Sequence, residues 1–107
     1  MNKIRVNIDA LKQIKLKNKL YEIRLKKGIF NSINKGDTLC LFNGNLLSTN
    51  SIDDIQEFKN LNELFENIDY KLCTPLISNK LEAIKHISKF YDDELMKKYN
   101  VIAIKLS

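Results

Sequence analysis

Thr38 to Phe42 is an almost unbroken apolar run, and it stops at Asn43-Gly44. Asn and Gly both tolerate positive φ, so this dipeptide predicts a tight hairpin. Leu46 onward then returns as a longer strand, to Gln56 or Phe58, whose polar middle (Ser48 to Ser51) suits a bulge or bend. The rest of the chain must arrange itself around this pair. Ile4, Val6 and Ile8 alternate with polar residues and predict an extended segment. Asp9 offers an N-cap for a short helix, with Ala10, Leu11 and Ile14 on one face and Lys12, Lys15 and Lys17 on the other. Tyr21, Ile23 and Leu25 alternate with Glu22 and Arg24, which predicts a strand with a charged face. Gly28 ends it, and Ile29, Phe30 and Ile33 fit a short turn before the Lys35-Gly36-Asp37 turn. Leu61, Leu64, Phe65 and Ile68 fall at helical spacing. After the break at Thr74-Pro75, Asn79 and Glu82 form a capping box ahead of Leu81, Ile84, Ile87 and Phe90 or Tyr91. Asp92, followed by Asp93 and Glu94, opens another short helix, and Val101 to Leu106 is a final strand. The order β-α-β-turn-β-β-α-α-α-β predicts an α+β fold with a mixed or antiparallel sheet, not a doubly wound one.

The 107 residues suit a single domain spanning 1–107, and 44% apolar content fills one core and argues against long disorder. No apolar run approaches the roughly 20 residues of a membrane span. Lys3 to Asp9 alternates charged and aliphatic residues, unlike a signal peptide. A cytoplasmic protein with no membrane partner is expected. The net charge of +5 is uneven. Residues 1–35 hold ten Lys or Arg against Asp9 and Glu22, a balance of +8. Residues 36–71 stand at −5 and residues 72–107 at +2. A basic first third attracts phosphates and polyanions. A competing explanation is genomic: sixteen of the eighteen basic residues are Lys, beside abundant Asn and Ile, a bias that an AT-rich genome produces by itself.

Familiar catalytic signatures are missing. The three glycines form neither a Gly-x-x-x-x-Gly-Lys loop nor Gly-x-Gly-x-x-Gly. Cys40 and Cys73 are far apart and outside any Cys-x-x-Cys pair, so no cysteine metal cluster and no disulfide is expected. Cys40 reads as core and Cys73 as an idle thiol. His86 is the only histidine and sits on a helix flank. No metal and no cofactor is expected. Trp is absent, and the four Tyr and five Phe lack the interleaving of an RNA recognition motif. The densest polar group is Lys19, Glu22 and Arg24. Glu22 and Arg24 share a strand face about 7 Å apart. Lys17, Lys26 and Lys27 extend the positive charge at both ends. Such a group suits an anion or a nucleobase: the cations take a phosphate or carbonyl, and Glu22 accepts from a base amino group. Lys19 and Glu22 could also transfer protons. The plainer alternative is an exposed ion pair worth under about 1 kcal/mol.

The segment Lys17-Asn18-Lys19-Leu20-Tyr21-Glu22-Ile23-Arg24 resembles the Gly-Lys-Lys-Thr-x-Glu-x-Arg stretch of the ASCH family, a branch of the PUA-like superfamily. The second lysine, the glutamate and the arginine are kept; Lys17, Asn18 and Leu20 replace the glycine, first lysine and threonine. Ile33, Gly36, Asp37, Phe42 and Asn43 follow the family's next pattern. Phe58 to Phe65 is similar to its strand end and helix. Tyr91 and then Lys98-Tyr99-Asn100-Val101-Ile102-Ala103-Ile104 resemble its close, with Asn100 for the usual glycine in what would be a left-handed position.

The resemblance implies a small β-barrel of the PUA-like type with flanking helices. Its cleft would be lined by Lys19, Glu22 and Arg24 and would bind RNA or a nucleoside. One branch of the family comprises N4-acetylcytidine amidohydrolases, whose matching stretch is Lys-Thr-x-Thr-x-Arg. Lys19 matches the catalytic lysine there, but Glu22 stands in place of the catalytic threonine, and Glu57 and Glu63 are the candidates for a later catalytic glutamate. Three functions therefore remain open. The first is an RNA- or nucleoside-binding module whose first-helix lysines contact phosphates. The second is a small hydrolase of a modified nucleoside with Lys19 and Glu22 as its catalytic pair. The third is a module that binds a protein partner. Tyr21, Tyr91 and Tyr99 are offered either to a base or to the core. Asn43 is offered either to the cleft mouth or to its turn.

Overall fold

A computed structural model describes residues 2–107. Strand β1 (Asn2–Arg5) leads into helix α1 (Ile8–Lys15), and strand β2 (Tyr21–Leu25) follows. A 3-10 turn (Gly28–Asn31) precedes strands β3 (Thr38–Asn43) and β4 (Leu46–Phe58). Helix α2 (Leu61–Asn67), a second 3-10 turn (Tyr70–Leu72), helices α3 (Lys80–Ser88) and α4 (Asp93–Lys98), and strand β5 (Val101–Leu106) complete the order. The expected α+β sequence of elements is therefore present.

The five strands form one mixed sheet in the order β1-β3-β4-β5-β2. Only β1 and β3 run parallel; the other pairs are antiparallel. Strand β4 is thirteen residues long because its two halves serve different neighbours. Leu46 to Ser51 pair with β3, and Ile52 to Phe58 pair with β5. The register shifts between Ile52 and Asp54. The irregularity expected at Ser48 to Ser51 thus lies one step later, at the changeover itself. A bulge there bends the strand and increases its twist. The sheet curls until its two edge strands approach, and the Nη2 of Arg24 in β2 donates to the carbonyl of Arg5 in β1 at 3.4 Å. The result is barrel-like with an open seam.

Two apolar clusters meet on β5. Ile102, Ile104 and Leu106 pack inside the curl with Ile4, Leu11, Ile14, Leu39, Leu41 and Ile52. Val101 and Ala103 face the other way, against Phe58, Leu64, Phe65, Ala83 and Ile87. Covered on both faces, β5 needs the nearly continuous apolar run Val-Ile-Ala-Ile. Each fully buried Leu or Ile contributes about 1.5–3 kcal/mol.

Three local expectations change. Asn7, not Asp9, caps α1: its side chain accepts from the Ala10 N–H at 3.0 Å, and Asp9 falls in the first turn. Asn43 pairs with Leu46, so Gly44 and Asn45 are the central turn residues. Gly44 carries the positive φ, 57°, in the first central position as in type II′ turns. Asn43 stays in the strand because its side-chain amide donates to the Val6 carbonyl at 2.9 Å. Asn100 does not take a left-handed backbone; Lys17, at φ 66°, is the non-glycine residue that does among those described.

Lys17 ends α1. Its N–H donates to the Ile14 carbonyl and the Asn18 N–H donates to the Gln13 carbonyl. That is a Schellman motif, with Lys17 at the position usually held by glycine. The motif turns the chain sharply and delivers Lys19 to the start of β2.

Candidate functional site

A cleft of about 590 Å³ opens at the seam. Strand β2 supplies Glu22 and Arg24, and Lys19 precedes it. Arg5 and the α1 residues Asp9 and Gln13 form one side. The opposite side is the segment from Cys73 to Ile77 together with His86, Ile87, Phe90 and Tyr91. The plainer alternative for Glu22 is an exposed ion pair. Glu22 is instead only 7% exposed, because the curl of the sheet brings β1, α1 and α3 over its face of β2.

Glu22 lies between two cations. Arg24 donates to its Oε2 at 3.0 Å, and the Lys19 ammonium lies 3.5 Å from its Oε1. Burial by itself pushes the carboxyl up; the charges of Lys19 and Arg24 and their hydrogen bonds outweigh this and hold Glu22 below the usual carboxylate range. Lys19, only 8% exposed, also donates to the carbonyls of Tyr21 at 2.6 Å and Cys73 at 2.7 Å. All three neighbours are acceptors. Lys19 therefore acts as a donor that ties β2 to the far wall of the cleft.

Arg24 bridges the floor and the rim. Its guanidinium reaches Glu22 and the Arg5 carbonyl and lies 5.5 Å from the centre of the Phe30 ring. Tyr91 is half-buried beside it. Burial pushes the Tyr91 phenol up, more than the Arg24 charge draws it down, so it remains a neutral hydroxyl. At the mouth, Phe90 is 60% and Leu76 is 65% exposed. The His86 ring meets Phe90 edge to face, with centroids 5.4 Å apart. Cys73 is buried, and desolvation pushes its thiol up to about 12, so it is idle at neutral pH.

The other basic residues separate. Lys17 sits at the end of α1, outside the cleft lining. Lys26 also lies outside it and pairs with Glu57 at 2.7 Å, where Asn100 also donates. Lys27 lines a second hollow of about 270 Å³ that shares Arg24 and Tyr91 with the cleft. Glu57 and Glu63 are not part of the cleft lining. Tyr21 and Tyr99 pack against the core, and Asn43 is not part of the cleft lining, although its amide donates to the carbonyl of Val6, which is. Sequence reasoning missed Arg5, Asp9, Gln13, the 74–77 segment and Phe90. His86 and Phe90 stand four apart, a helical spacing that places them on one face. Arg5 and Gln13 join the site only through the curl of the sheet and carry no local signal.

Among the described residues, no group of three or more His, Cys, Asp and Glu could hold a metal ion. None of the helices there is long and apolar enough to cross a membrane.

Two solved structures share this fold across almost the whole chain. The hypothetical protein PH0355 matches with a TM-score of 0.89 and 26% identity, over 98% of this chain and 95% of that one. Protein PF0455 from Pyrococcus furiosus matches with a TM-score of 0.81 and 27% identity, over 99% of this chain and 94% of that one. No protein-family model and no curated protein matches the chain.

Proposed function

We propose that this chain is a cytoplasmic, PUA-like domain of the ASCH type that binds RNA or a nucleoside in the seam cleft. The observation that carries this reading is the ionised Glu22, fixed by Lys19 and Arg24 on the floor of a cleft with apolar and aromatic walls. An ionised carboxylate beside a guanidinium presents an acceptor next to a donor. That pair complements a nucleobase edge, with an amino group toward Glu22 and a ring carbonyl toward Arg24. The volume lies within the range of about 300–1,000 Å³ typical of small-molecule sites. Phe90 offers a ring for stacking, which contributes about 1–3 kcal/mol per base. The ASCH reading gains support from Lys17: its left-handed backbone falls where the family's motif has glycine.

Binding is favoured over hydrolysis by the same geometry. Lys19 spends its donors on two carbonyls and Glu22, and Glu22 is ion-paired rather than free as a base. Glu57 and Glu63, the candidates for the further glutamate of an amidohydrolase, lie outside the cleft lining.

The test is a panel of ribonucleosides, N4-acetylcytidine and short single-stranded RNA, followed by thermal shift and by chromatography. A ligand of the folded state raises the melting temperature. Stabilisation without turnover, reduced about tenfold in affinity by Arg24→Ala, is expected. Turnover of N4-acetylcytidine that disappears in Lys19→Ala would establish a hydrolase instead. No stabilisation by any member of the panel would reject the reading and turn attention to a protein partner.

A further inference from the structure

The second hollow differs from the cleft in having no acid in its lining. The cleft carries Arg5, Lys19 and Arg24 against the carboxylates of Asp9 and Glu22. The hollow is lined by Arg24, Lys27 and Gly28 with Ile29, Phe30 and Tyr91, and no carboxylate is among its lining residues. Lys27 has no carboxylate within salt-bridge distance among the described residues, whereas neighbouring Lys26 is bound to Glu57. Two more features sit beside it: the Lys27 ammonium is 6.0 Å from the centre of the Tyr99 ring, and that of Lys98 is 5.5 Å from the same ring. Arg24 and Tyr91 line both cavities, so the hollow adjoins the cleft.

At the cleft floor both cations are already engaged by Glu22, whereas in the hollow an anion meets Lys27, which has no carboxylate partner among the described residues, beside Arg24. Resting on the nucleobase reading of the cleft, we infer that the occupant is phosphorylated and that its phosphoryl group lies in the hollow against Lys27 and Arg24. The ligand class is then a nucleotide, or one residue of an RNA strand, and not a free nucleoside. The lysines of α1 are not the first phosphate contact.

The experiment is calorimetric titration with the four ribonucleosides, their 5′- and 3′-monophosphates, and trinucleotides, on wild type and Lys27→Ala. Lys27 is a partly exposed side chain whose loss leaves the core intact. A monophosphate should bind about tenfold more tightly than its nucleoside, and Lys27→Ala should abolish that difference without weakening the nucleoside. A trinucleotide tighter than the monophosphate identifies a strand as the source of the phosphate, and equal binding identifies a mononucleotide; both support the site. Equal affinity for nucleoside and monophosphate overturns the phosphate subsite and leaves the base cleft standing. A preference for phosphate that survives Lys27→Ala overturns it too, since the anion then lies elsewhere. Failure of every compound to bind overturns both readings.

Discussion

Glu22 sits where a lone carboxylate would not stay ionised. Its charge persists because Lys19 and Arg24 are within 3.5 and 3.0 Å. Removing one partner of such a buried group leaves uncompensated charge, which costs about 3–5 kcal/mol. Glu22→Gln should therefore lower unfolding free energy by roughly 3 kcal/mol at neutral pH, measured by urea titration. The sign of the pH dependence follows from the depressed carboxyl. The stabilisation is fully present above the unfolded-state value of about 4.3 and is lost as pH falls through the lower folded-state value. Wild type should lose stability across that acid window, and Glu22→Gln should lose less. Equal acid sensitivity in the two proteins would contradict the ion-pair account.

At the scale of elements, the α1 terminus makes a separate claim. A non-glycine residue in the left-handed region costs about 1–2 kcal/mol, and glycine's extra chain entropy offsets part of that. Lys17→Gly should then stabilise the protein by about 0.5–1 kcal/mol, seen as a higher urea midpoint at unchanged slope. Much at this scale was legible in the sequence. The Asn79 cap accepts from the Glu82 N–H at 2.9 Å, and Asp92 caps α4, both in places their residue types announce. What failed were choices between adjacent candidates. Asn7 and Asp9 are both good caps, and the sequence does not say which one the preceding strand leaves at the helix entrance. Asn43-Gly44 and Gly44-Asn45 are both turn pairs, and a side-chain bond to Val6, 37 positions away, decides between them. Leu81 in α3 and Phe90 just past its end fit the apolar period yet are 61% and 60% exposed, while Ala83 is fully buried. The true stripe runs through Ala83 and Ile87, one the smallest apolar side chain and so the weakest marker.

The whole molecule explains why the burial of the Lys19–Glu22–Arg24 group could not be read from its spacing alone. Alternation places Glu22 and Arg24 on one face of β2. Only the curl set by the bend in β4 turns that face into an enclosed floor and gathers Arg5 and Gln13 onto it. Charge works at this scale as well. Of the ten cations behind the +8 balance of residues 1–35, Arg5, Lys19 and Arg24 line the cleft and Lys27 lines the adjoining hollow. For single-stranded RNA the logarithm of affinity should fall with the logarithm of salt at a slope near −0.7 per phosphate contacted. One or two contacts around Lys27 predict a slope of about −0.7 to −1.4, and Lys27→Ala should bring it closer to zero. A salt-independent affinity would remove the electrostatic role.

The strand that carries the cleft floor is made early and waits for its neighbour. In the ladder β2 pairs only with β5, and 76 positions separate Leu25 from Val101. At about 5–20 residues per second, a ribosome takes roughly 4–15 s to cover that distance. Throughout that interval Glu22 and its two cations lie on an unpaired strand in water, and the Cys73 carbonyl has yet to close over Lys19. In a nascent chain the arrangement of Lys19, Glu22 and Arg24 described above therefore forms only once residues 101–106 have emerged and paired with β2.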